Sequence, residues 1–155
     1  MDDRQTPAIP RPGEGKRGPD GHIGYLLRQA HGAFRGTMEH ALADLGVTAP
    51  QFAILTMLNA YPGISGADLA RLALLTPQTI SPIIANLLRA GLIAREAHPV
   101  HGRILCIVLT AEGKALLAKS RARVEKLEKS LLAEVPAKDE AVIRQWLARV
   151  ALQFG

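Results

Sequence analysis

The chain has 155 residues, 48% of them apolar, which is enough for one domain with a real core. No run reaches 18 apolar residues and the N-terminus lacks a basic then apolar leader, so the expectation is a cytoplasmic protein with neither membrane span nor secretory signal; the single cysteine, Cys106, excludes an internal disulfide. A net charge of +5 favours a polyanionic partner but stays far below the density of a histone-like chain.

Residues 1–20 hold four prolines, three glycines and balanced charges, Arg4, Arg11, Lys16 and Arg17 against Asp2, Asp3, Glu14 and Asp20. This composition predicts a disordered tail. From Ile23 to Leu45 the apolar residues keep helical spacing, and Gly46 ends the run, giving a long first helix. Thr48 with Gln51 is a capping box, with Val47 and Phe52 placed as a staple, and opens a second helix to about Asn59. Tyr61-Pro62-Gly63 breaks it, and Ser65 with Asp68 opens a short third helix to about Ala73.

Thr76 then caps a fourth helix and Pro77 fits its first position. Ile80, Ile83, Ile84, Leu87 and Leu88 form the apolar face of this helix, and Gly91 with Leu92 supplies its stop. Its other face, Gln78, Thr79, Ser81, Ala85 and Asn86, has no acid and ends in one cation, Arg89. A solvated face would carry Glu and Lys; small neutral hydrogen-bonding groups suit a surface that passes between phosphates to meet base edges. The short connection through Leu74 and Leu75 sets the third and fourth helices at a steep angle, as in a helix-turn-helix.

Residues 92–97 and 104–109 read as two strands around the turn His98 to Gly102, with Leu105, Ile107 and Leu109 on one face. This ribbon is a wing with Arg103 at its tip end, and Cys106, alternating away from that face, is expected to be partly exposed. Thr110 with Glu112 opens a helix of about 36 Å to Glu134. On it Leu117, Val124 and Leu131 recur every seven residues, and Val142, Ile143, Trp146, Leu147, Val150 and Phe154 mark a last amphipathic helix. Both stripes lie outside the small helical core in this reading and, with the first helix, form a dimerisation layer. The fold class expected is therefore mainly α with a small β-wing: a winged helix-turn-helix at 48–110, dimerisation helices at 21–46 and 111–154, and a single domain over 21–155.

This order resembles the multiple antibiotic resistance regulator (MarR) family of bacterial transcription factors from Ile23 to Phe154. The residues that carry the resemblance are Leu69-Ala70, Thr76-Pro77-Gln78-Thr79, Gly91-Leu92-Ile93, Arg95 and the wing series Arg103, Ile107, Leu109, Thr110, Gly113. The resemblance implies a homodimer on a pseudo-palindromic operator, usually a repressor, released by a small phenolic or aromatic acid. The chain departs from the family in two places. An acid usually stands two places before the wing arginine, where this chain has His101, and arginines often stand at Pro82 and Asn86. Pro82 has no N–H for the Gln78 carbonyl, so a local distortion of the helix is expected.

The candidate DNA-binding residues are Thr76, Gln78, Thr79, Ser81, Asn86, Arg89, Arg95, His101 and Arg103. Gln78 suits an adenine edge and Arg103 a narrow minor groove. Each has a plainer account: Thr76 and Thr79 as caps, Gln78 as a solvated first-turn residue, Arg103 as the partner of a backbone group or an acid. His22, Tyr25, Arg28 and His31 fall near where the family's ligand pocket opens, and are otherwise interface or surface residues. His98 and His101 fall short of a zinc site, and no catalytic constellation or phosphate loop is present. A winged helix can also bind proteins, and steep salt dependence is what distinguishes DNA binding from that alternative.

Overall fold

The computed structural model describes residues 9–97, 102 and 105–154. It divides into two units, 1–37 and 38–155. Among the described residues the elements in order are α1 (Ile23–Leu42), α2 (Ala49–Ala60), α3 (Gly66–Leu72), α4 (Pro77–Arg89), β1 (Ile93–Ala97), β2 (Leu105–Leu109), α5 (Ala111–Leu132) and α6 (Ala137–Phe154), with 3-10 turns at Gly15–Arg17 and Ala43–Leu45. No single helix among them is long and apolar enough to cross a membrane.

In the first unit, residues 9–20, whose composition reads as a tail, carry hydrogen bonds to one another and to α1. Arg17 Nε donates to Gln29 Oε1 at 3.2 Å, Gln29 Nε2 returns a bond to the Arg17 carbonyl at 3.0 Å, and the Arg17 guanidinium also donates to the Pro10 carbonyl. Glycine makes this path possible. A Cβ on Gly18 would lie 2.2 Å from the Gly13 carbonyl oxygen, and Gly13 itself sits at φ 92.

The second unit is built on local start signals. Thr48 and Gln51 form a reciprocal capping box, whereas Ser65 Oγ accepts from the Asp68 N–H and donates to its carboxylate. Leu42, Val47 and Val124 form one buried cluster, to which Phe52 adds from α2. The larger core joins Ile54, Leu55 and Leu58 of α2 with Leu69, Ile80, Ile84, Leu87, Ile93, Ile107 and Leu117.

The turn between α3 and α4 closes with the Leu75 N–H donating to the Ala70 carbonyl and the Leu74 N–H to that of Arg71. Leu74 takes the left-handed position at φ 55, which costs a side chain other than glycine about 1 kcal/mol. After α4 the same motif recurs with Gly91 at φ 69, which leads directly into β1. β1 and β2 pair antiparallel, Ile93 opposite Leu109 and Arg95 opposite Ile107, and Ile64 adds a bridge to Ile107 that periodicity did not reveal.

Three expectations are corrected. Cys106 is 4% exposed, because the Ile64 bridge brings the turn at Gly63 over that side of β2. Leu105 is the exposed residue instead, since it extends beyond the core that takes Ile107 and Leu109. On α5, Leu117 and Val124 are buried within the chain, because this helix packs on α2 and β2; only Leu131 of the heptad series stays open, at 61%. On α6, Val142, Ile143, Trp146 and Leu147 are all exposed.

Candidate nucleic-acid interface

The α4 helix is anchored on one side by Ile80, Ile84 and Leu87, all buried, which fixes its rotation and turns Gln78, Thr79, Ser81, Ala85 and Asn86 outward. Thr76 Oγ1 accepts from the Thr79 N–H at 3.2 Å, and the two threonine hydroxyls pair at 2.9 Å. Their donors are thus partly spent in holding the helix start. Ser81 Oγ donates to the Pro77 carbonyl at 2.8 Å, and α4 passes through Pro82 as one element, so the expected distortion does not interrupt it. Arg89 donates to Asn86 Oδ1 at 2.9 Å, leaving the Asn86 amide nitrogen outward as a donor.

Gln78 is exposed and has no hydrogen-bond partner among the described residues, so its carboxamide is free at both ends. Arg95 is exposed on β1 and lines an open apolar groove with Ala67, Ala70, Ile84 and Leu105 between α3, α4 and the strands. Arg71 is tied to Asp68 at 3.1 Å in an exposed pair that is worth little energetically and leaves Arg71 adding no net charge to this face. His98, His101 and Arg103 lie outside the described residues.

The frame behind this face is held by Thr110. Its N–H donates to the Leu92 carbonyl at 3.1 Å, its hydroxyl donates to the Gly91 carbonyl at 2.7 Å, and the same oxygen caps α5 by accepting from the Gly113 N–H at 3.0 Å. The end of α4, the base of the wing and the start of α5 therefore meet at one side chain. At the far side, Arg123 of α5 donates to the Ala41 carbonyl at 3.0 Å and to the Asp44 carboxylate, whose pKa is lowered chiefly by that hydrogen bond.

In the first unit, Tyr25 and Arg28 line an open groove on α1 together with Pro12 and Arg17, while His22 and His31 are exposed and outside its lining. Arg17 was missed in the sequence because its stretch reads as a tail. The signal available there was the spacing of Gly13, Gly15, Gly18 and Gly21, which lets the chain turn back on itself.

The MarR family profile matches residues 45–104, the span from the end of α1 to the wing. The HTH-type transcriptional repressor Rv2887 of Mycobacterium tuberculosis is 37% identical over 131 residues, 84% of this chain and 94% of that protein. The crystal structure of the same MarR family protein with salicylic acid superposes with a TM-score of 0.69 at 36% identity, covering 85% of this chain and 98% of the other. Its complex with DNA gives 0.68 at 34% identity, with 84% and 98% covered. At this identity and coverage the chain belongs to the MarR family of transcriptional regulators.

Proposed function

We propose that this chain is a sequence-specific DNA-binding repressor that acts as a homodimer on a pseudo-palindromic operator and is released by a small aromatic acid. The observation that carries this reading is the outer face of α4, exposed, free of acids and held in one rotation by Ile80, Ile84 and Leu87. Two copies place their α4 helices in successive major grooves about 34 to 36 Å apart. Gln78 meets a base edge, Thr76, Thr79, Ser81 and Asn86 meet phosphates or base methyls, and Arg89 and Arg95 supply charge. Arg103 enters the flanking minor groove in this reading, and His101 is a further DNA contact.

The exposed apolar side chains of α6 support a second copy as their cover. The salicylic acid complex of Rv2887 supports an aromatic acid as effector, and Arg28 with Tyr25, His22 and His31 nearby supplies cation and ring chemistry for one. In this reading the protein is not an enzyme and works in the cytoplasm.

Selection of bound sequences from random duplex DNA, at about 50 and 200 mM salt, tests the proposal. The expected result is an inverted repeat with half-sites near one helical turn apart and a steep loss of affinity at the higher salt. Weak binding indifferent to sequence overturns it.

A further inference from the structure

Among the described residues, Leu74 is the sole non-glycine with positive φ, at 55, and at 91% it is also the most exposed large apolar side chain. Folding gains nothing from either property. The backbone closes the motif that usually ends on glycine, with the Leu75 N–H on the Ala70 carbonyl, and a glycine would make the same bonds without the Cβ penalty. A leucine in this position is disfavoured both by its backbone and by its exposure, so the side chain has a use outside the chain.

We propose that Leu74 is a DNA-contacting residue whose side chain packs against the apolar wall of the operator groove, on a thymine methyl or a deoxyribose edge. The inference rests on the DNA-binding reading above and deepens it. In a helix-turn-helix the first helix crosses the backbone and the N-terminal end of the second meets the bases, so the turn joining them lies between phosphate and base. Leu74 stands in that turn, two residues before the Thr76 cap and four before Gln78. The Thr76 and Thr79 hydroxyls are engaged with one another and that of Ser81 with the Pro77 carbonyl, so an apolar contact adds discrimination that these hydroxyls supply only in part. Thymine methyls are the apolar feature of the major groove.

The test uses the full chain and the duplex recovered by selection, with Leu74→Gly and Leu74→Met titrated by fluorescence anisotropy beside thermal unfolding of each protein. The expected result is that Leu74→Gly melts at or above the parent temperature yet binds roughly tenfold more weakly, while Leu74→Met stays within about twofold of the parent. Replacing each half-site thymine by deoxyuridine then locates the contact: parent affinity falls at one position to which Leu74→Gly is indifferent, or at none if the sugar is the partner. Unchanged or tighter binding by Leu74→Gly overturns the inference alone. A parent protein that selects no duplex overturns it together with the reading beneath it.

Discussion

Thr110 donates its hydroxyl to the Gly91 carbonyl at 2.7 Å, so the residue that starts α5 also ties down the residue that ends α4. Thr110→Val keeps the shape but removes the cap and leaves a carbonyl without its donor. The expected cost is about 1 to 2 kcal/mol. Thr110→Ser, which keeps the hydroxyl, should lose less than half of that. Urea unfolding midpoints compare the three proteins, and a valine variant as stable as the parent would show that these bonds contribute nothing.

Gly113 is required for a different reason. A Cβ there would lie 1.9 Å from the Leu92 carbonyl oxygen, a backbone atom that is itself held by the Thr110 N–H. Neither side can give way without opening the junction of the wing with α5. Gly113→Ala, ordinarily neutral or stabilising in a helix, is therefore expected to cost about 3 kcal/mol. Thermal unfolding of this single variant checks it, and a melting temperature at or above the parent would mean that the approach is looser than described.

The helix starts were legible because caps are local. Thr48, Ser65, Thr76 and Thr110 each bond a backbone N–H three residues ahead, a pattern that needs no tertiary information. The outer face of α4 was legible for a similar reason, since Ile80, Ile84 and Leu87 fix it by spacing alone. What failed depended on chain segments distant in sequence. Cys106 looked half-exposed by alternation because the bridge from Ile64 could not be foreseen, and Leu117 and Val124 looked like a dimer stripe because their partners on α2 and near Leu42 are long-range. Arg17 was hidden because a stretch rich in proline and glycine reads as disorder, yet here glycines permit the turns that bring it to Gln29.

Asp44 and Arg123 make a pH-dependent link between α5 and the end of α1. The hydrogen bond from Arg123 holds the Asp44 carboxyl below its usual pKa, outweighing the opposing effect of desolvation. A group whose pKa is lowered on folding contributes stability that is complete above its unfolded value and is lost as pH falls through the folded one. Asp44→Asn should therefore be less stable than the parent near neutrality, and the gap should close in strong acid. The Arg123 bond to the Ala41 carbonyl survives in both proteins, so the difference isolates the charge. Denaturant midpoints across that range provide the measurement; a gap that does not narrow in acid would assign the difference to packing.

Gln78 is the side chain on α4 with both ends of its amide free, and a carboxamide can pair with adenine at N6 and N7 together. Because it is exposed, Gln78→Ala should leave the unfolding midpoint within about 0.5 kcal/mol of the parent. Its effect belongs instead in discrimination: one base pair in each half-site should lose about 1 to 3 kcal/mol of preference while the remaining positions keep theirs. Competition titrations with duplexes changed one base pair at a time read this directly. A uniform weakening across all duplexes would make Gln78 a phosphate contact, and no change at any position would return it to the solvated face of the first turn.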